Sequence, residues 1–139
     1  MLVGTFYHTL EAKGRFSLPK TFRAEATSWV LTSGLDGCMF IFKQEEFDVQ
    51  AAKLAEMSYL KADHRALIRH FAASASIQTP DEQGRLLIPE NLQKMAGLSK
   101  NLVIVGALNH LEVWDQERYH AHLDASEKSI EQIAENLGE

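Results

Sequence analysis

Residues 9–23 read TLEAKGRFSLPKTFR, and residues 79–93 read TPDEQGRLLIPENLQ. At an offset of 70, Thr9 falls on Thr79, Glu11 on Asp81, Gly14 on Gly84, Arg15 on Arg85, Leu18 on Ile88 and Pro19 on Pro89. A second echo, at an offset of 72, sets Gly34 against Gly106, Ile41 against Val113 and Gln44-Glu45 against Gln116-Glu117. A fixed self-similarity of this kind marks a duplicated supersecondary unit and is read before anything else.

The chemistry of the repeat indicates its shape. The acid opens a turn, and Asp81 can accept hydrogen bonds from backbone N–H groups just ahead of it. Glu11 does so less well, because its extra methylene loosens the ring. Gly14 and Gly84 supply a residue free to take positive φ. Residues 15–18 and 85–88 read as short strands, and Pro19 and Pro89 suit the first turn of a helix. Each unit is therefore strand, tight turn, strand, short helix. Its arginine stands just past the turn, where the side chain can reach beyond the tip.

At 139 residues the chain has the size of one domain. We expect a first repeat unit with its following helix over 1–60, a connecting helix over 61–74, a second unit over 75–123 and a C-terminal helix over 124–139. No apolar run reaches the roughly 18 residues of a membrane span. The N-terminal residues lack the charged start and apolar run of a signal peptide, and one cysteine, Cys38, cannot form an internal disulfide. A reducing cytoplasm fits, with Cys38 a small buried apolar residue.

The net charge of −5 argues, taken alone, against a polyanionic partner, but the charge is unevenly spread. Residues 1–23 carry Lys13, Arg15, Lys20 and Arg23 against Glu11. Residues 61–70 carry Lys61, Arg65 and Arg69 against Asp63, and from Glu112 onward eight acids face Arg118 and Lys128. Local field, not net charge, steers a polyanion, so a molecule with one basic end remains suited to nucleic acid.

In chain order, a strand over 2–10 forms a hairpin with 15–18, followed by a short helix over 19–26. Strands over 29–32 and 38–42 flank a Gly-Leu-Asp-Gly turn. Phe47, Ala51, Leu54 and Met57 give a helix over 44–57, and Leu67, Ile68 and Phe71 line the buried side of another over 61–73. These two helices lie between the repeats, with no counterpart in the repeat cores. The second unit has strands at 75–79 and 85–88, a helix over 89–96 ended by Gly97, strands at 102–105 and 111–114, and a helix from 115 to 123. In the tail, Ile130, Ile133, Ala134 and Leu137 share one face over 126–137, and Asp124 with Glu127 has the form of a capping box. That face suits docking on its own chain or a neighbour; a frayed acidic tail is the alternative.

The six histidines suggest metal or acid–base work, but His64 and His70 point to different sides of a helix, as do His120 and His122. No H-E-x-x-H, paired-cysteine or phosphate-loop motif is present. We expect no enzyme activity, metal or cofactor. Lys13-Gly14-Arg15 carries chemistry of another kind. Glycine admits a phosphate close to the backbone, the cations displace counter-ions, and arginine can grip a guanine edge through two donors. The second tip, with Asp81, Glu82, Gln83 and Arg85, is net negative. The first tip should dominate affinity, with Arg85 and Gln83 in a lesser or more structural part and Glu11, Asp81 and Gly84 fixing the turns. The competing account of each arginine is an ion pair with the acid four residues earlier.

Three ordered motifs, E-x-K-G-R-x-x-x-P from Glu11, D-x-x-G-R-x-x-I-P from Asp81 and V-G-x-x-N-x-x-E-V-W-D from Val105, resemble those of the MraZ family, over residues 1–123. These are bacterial transcriptional regulators encoded at the head of the division and cell-wall gene cluster. The first motif departs from the family, which usually begins it with Asp, and this bears on the geometry of the first turn. The resemblance implies an α+β fold, the swapped-hairpin AbrB- and MazE-like barrel, with both pseudo-twofold-related units in one chain. It implies a ring-shaped homo-oligomer, an octamer or larger, bound to double-stranded promoter DNA with short direct repeats, in the cytoplasm at the nucleoid. It also carries DNA contact onto Lys13, Arg15 and Arg85. An antitoxin-like or scaffold protein, binding a protein partner through the same barrel, is the alternative.

Overall fold

The structure, a computed structural model, describes residues 1–127 and 129–138. The first half contains β1 (Leu2–Thr9), β2 (Arg15–Ser17), α1 (Lys20–Arg23), β3 (Trp29–Ser33), β4 (Met39–Lys43), α2 (Gln44–Ala55) and α3 (Ala62–Ala72). The second contains β5 (Ser76–Gln78), β6 (Arg85–Leu87), α4 (Glu90–Met95), β7 (Asn101–Leu108), β8 (Leu111–Asp115), α5 (Gln116–Glu127) and α6 (Ile130–Leu137). The two halves thus run through the same order of elements. The helices α2 and α3, expected to lack counterparts, are matched in that order by α5 and α6. The duplication extends past the barrel-type motifs into the helical segments.

The fold is α+β, and its strands pair antiparallel in a six-stranded sheet ordered β1-β7-β8-β4-β3-β5 and a separate ribbon of β2 and β6. These ladders do not close into a barrel; β1 and β5 are the edges of the larger sheet. The expected hairpin of the first two strands is also absent. No ladder joins β1 to β2: Glu11 N donates to Arg15 O (2.7 Å) across the turn, after which β1 lies on β7 and β2 on β6. The physical reason is the corner itself: a 3-10 turn over Ala12–Gly14 with Lys13 at φ 66° and Gly14 at φ 78° directs the chain away from β1. The exchange is reciprocal. The first strand of the first half pairs with β7 of the second, and β5 of the second half pairs with β3 of the first.

Alternation along the strands explains both faces. Met39 and Ile41 of β4, Leu102 and Ile104 of β7, and Leu111 and Val113 of β8 face a core closed by Phe16 and Leu86 of the ribbon and Phe22 and Leu92 of α1 and α4. Phe40, Phe42, Val103 and Trp114, one residue out of phase, face the other way under Phe47, Phe71 and Tyr119 of α2, α3 and α5. Cys38 is buried here, and burial pushes its thiol well above the ordinary range. Pro19 and Pro89 stand just outside α1 and α4, and their carbonyls accept the Phe22 and Leu92 N–H groups at 2.9 and 3.0 Å.

The expected tail helix crosses Lys128, which lies outside the described residues, as does Glu139. The capping box is not formed: α5 runs through Asp124 to Glu127, and α6 starts after Ser129, whose side chain makes no capping bond. Ile130, Ile133 and Leu137 of α6 are exposed. No helix among the described residues is long and apolar enough to cross a membrane.

Candidate nucleic-acid interface

The ribbon sets Arg15 against Leu87, Phe16 against Leu86 and Ser17 against Arg85. Since neighbours along a strand face opposite ways, Phe16 and Leu86 enter the core while Arg15, Ser17, Arg85 and Leu87 share the outer face. Arg15 and Arg85 are diagonal neighbours there, a relation that places the residues about 7–8 Å apart, within reach of long side chains. Both flanking turns follow one backbone plan. Glu11 N and Asp81 N donate to the Arg15 and Arg85 carbonyls at 2.7 and 2.9 Å, and Gly14 N and Gly84 N donate to the Glu11 and Asp81 carbonyls at 3.2 and 2.9 Å. Each glycine, at φ 78°, then lends its carbonyl to the other half: Leu18 N donates to Gly84 O (2.9 Å) and Ile88 N to Gly14 O (2.8 Å).

The side chains diverge. Asp81 Oδ1 accepts from Gln83 N and Arg85 N, both at 2.9 Å, and Oδ2 accepts from Arg85 Nε at 2.9 Å. The Arg85 N–H, with the guanidinium and Gln83 N–H, holds the Asp81 carboxyl below the usual carboxylate range, and the Asp81 carboxylate in turn raises Arg85. Glu11 makes no such bonds to its own turn. Its Oε1 accepts from Arg85 Nη1 (3.4 Å) and its Oε2 from Ser17 Oγ (3.5 Å). The competing account holds for Arg85, which pairs with Asp81, but not for Arg15: Glu11 pairs with Arg85, and among the described residues the Arg15 guanidinium has no carboxylate or hydrogen-bond partner. Lys13 is exposed at the tip in the left-handed region. An open depression of about 520 Å³ runs beside it, between Gly14 and Gln93.

The model of the MraZ protein family, described as antitoxin-like, matches this chain twice, over residues 1–70 and 71–138. The chain belongs to the MraZ family. Among its relatives named "Transcriptional regulator MraZ", that of Ligilactobacillus salivarius is 40% identical over 99% of this chain and 96% of its own length. That of Thermoanaerobacter pseudethanolicus is 40% identical over 100% and 98%, and that of Carboxydothermus hydrogenoformans 38% over 99% and 96%. The two matches of the MraZ model meet at residues 70 and 71, in the last turn of α3, a few residues before β5 opens the second half.

Against this MraZ-type frame, the structure brings Lys13, Gly14, Arg15, Gln83, Gly84 and Arg85 to one ribbon and its two turns, with Glu11 and Asp81 at the turn openings. Three residues at this surface were not singled out by the motifs. Arg23 donates Nε–H to the Leu18 carbonyl (2.8 Å), and its guanidinium lies where a Cβ on Gly84 would stand. Gln93, its equivalent 70 residues on, donates to the Ile88 carbonyl (2.8 Å) and covers Gly14. Gln78 grips Leu87 as a strand would, accepting its N–H at 2.9 Å and donating to its carbonyl at 2.6 Å. The shared offset of Arg23 and Gln93 was the available signal; nothing local marked Gln78. His8, equivalent to Gln78 by offset, is half-buried and lowered by burial and by the Arg23 charge.

Proposed function

We propose that this MraZ-family regulator binds double-stranded DNA through the outer face of the β2–β6 ribbon, with Arg15 and Lys13 as the principal contacts. The observation that carries the reading is the half-buried Arg15 guanidinium on the outer face of a two-stranded ribbon, without a carboxylate or hydrogen-bond partner among the described residues. A ribbon of that width enters the major groove, and an arginine on it can grip a guanine edge through two donors, a contact of about 1–3 kcal/mol in base discrimination. Lys13 meets phosphate, Gly14, buried beneath Gln93, serves the turn and not a close backbone approach, and Gln83 and Arg85 contribute less because Asp81 and Glu11 hold Arg85.

One ribbon offers few cations, so a single copy binds weakly. The reciprocal strand exchange supports the swapped-hairpin plan, and the exposed α6 stripe and open edges of β1 and β5 give faces on which copies can meet in a ring. A ring repeats the ribbon, so short direct repeats about one helical turn apart in the chain's own promoter engage successive copies, and effective concentration raises avidity. Such a regulator works in the cytoplasm at the nucleoid.

The test is fluorescence anisotropy with DNA from upstream of the chain's own start codon, at two salt concentrations, with shuffled DNA as control. We expect tight, salt-sensitive binding to the native fragment, lost in Arg15→Ala while the melting temperature stays put. Equal binding to both DNAs would reduce the protein to a non-specific binder.

A second reading, a protein-binding antitoxin-like or scaffold role, is favoured by an apolar cleft of about 300 Å³ on the other sheet face. Phe40, Phe42, Leu54, Phe71 and His110 line it. Assembly without any salt-dependent DNA affinity would point to it.

A further inference from the structure

The two turns share their backbone hydrogen bonds and a glycine at φ 78°, but Lys13 is left-handed at φ 66° where its equivalent Gln83 is not, and the acids that open them differ by one methylene. Asp81 is short, so its carboxylate folds back on its own turn and takes the Gln83 and Arg85 N–H groups. Glu11 reaches past that position. Its two oxygens cross the ribbon to Arg85 Nη1 and Ser17 Oγ, at 3.4 and 3.5 Å. Arg85 therefore stands between two carboxylates, one from each half, while Arg15 has neither.

We infer that Glu11 determines how many ribbon arginines are available to DNA: by bridging the two halves it withholds Arg85 and leaves Arg15 as the ribbon's arginine without a carboxylate partner among the described residues. The inference rests on the DNA reading above. A carboxylate bound through an exposed pair contributes little to stability. It nevertheless fixes where the guanidinium points and cancels its field at the surface that a phosphate would approach. Shortening the acid to Asp keeps the charge but removes the reach. The carboxylate then falls onto its own turn, as that of Asp81 does, and the Arg85 Nη groups turn outward.

The experiment is a double-mutant cycle read by anisotropy on native upstream DNA across a salt series, with Glu11→Asp, Arg85→Ala and the pair. Arg85→Ala should cost about twofold or less in the wild-type background and about tenfold in the Glu11→Asp background, the size of one charge-assisted contact. The slope of log affinity against log salt should steepen by about 0.9 in Glu11→Asp, one added phosphate contact, and return in the pair. Glu11→Ala serves as a second variant with no acid at all, and thermal melts confirm that each variant folds. Equal cost of Arg85→Ala in all backgrounds, with an unchanged slope, would overturn the inference while leaving the DNA reading intact. Failure of wild type to bind the native fragment would remove both.

Discussion

The turns at Gly14 and Gly84 share their backbone hydrogen bonds, differ at the left-handed Lys13, and are opposites in electrostatics. Both glycines sit at φ 78°, and both lend a carbonyl to the other half. The first turn carries Lys13 and an Arg15 without a carboxylate partner among the described residues. The second carries Asp81 and Glu82, with its arginine tied down. Duplication preserved what folding needs and let the charges drift apart. The scaffold is symmetric because each half completes the other; the surface is not, because solvent imposes no such condition.

The largest effects should test the symmetric part. Phe16 and Leu86 lie opposite each other beneath the ribbon and are buried. Phe16→Ala should cost about 3–5 kcal/mol and Leu86→Ala about 2–5 kcal/mol in chemical denaturation, since each leaves a cavity in the shared core. A cost under about 1 kcal/mol at either site would break the claim that both halves close one core.

The glycines come next and sharpen the comparison. A Cβ on Gly14 would stand 2.9 Å from the Ile88 carbonyl, backbone that cannot yield, and 2.5 Å from Gln93 Nε2. A Cβ on Gly84 meets the far end of Arg23, which can move. Both also suffer the positive φ. Gly14→Ala should therefore destabilise by about 2–3 kcal/mol and Gly84→Ala by about 1–2 kcal/mol, read from the same denaturation curves. A reversed order would show that the Arg23 contact is the rigid one.

The smallest effect concerns acid. The folded Asp81 carboxyl lies below its unfolded value of about 3.9. Its contribution to stability is thus present above that value and lost as pH falls through the lower folded one. Carboxylate titration by NMR should give Asp81 a midpoint under about 3.9, and melting temperatures of wild type and Asp81→Asn should converge as pH falls below that value through the folded midpoint. A midpoint at or above it would mean that the second turn is open in solution.

Much of this was legible from residue types. Runs of apolar β-formers in Met39–Lys43 and Leu111–Asp115, helical spacing from Phe47 to Leu54 and Gly97 after α4 mark elements close to those observed, because each signal is local. The hairpin of β1 with β2 misleads for the same reason. A turn with Gly14 looks locally like a hairpin, yet the partners of both strands lie in the other half of the chain. The Asp124–Glu127 pair likewise has the spacing of a cap but falls inside α5, where continuing the helix satisfies the backbone without it.

The residues by themselves determined that the chain is a duplicated α+β unit with an arginine just past each glycine turn, and the motifs pointed to its family. Periodicity, glycine and proline act within a few residues, so order along the chain suffices to read them. Only the tertiary structure decided that β2 meets β6, that Arg15 and Arg85 share one face, and that Glu11 holds the arginine of the other half instead of its own. Those outcomes depend on contacts across some seventy residues. There the reach of one methylene decides the partner, and no local pattern encodes the distance between two chain segments that fold together.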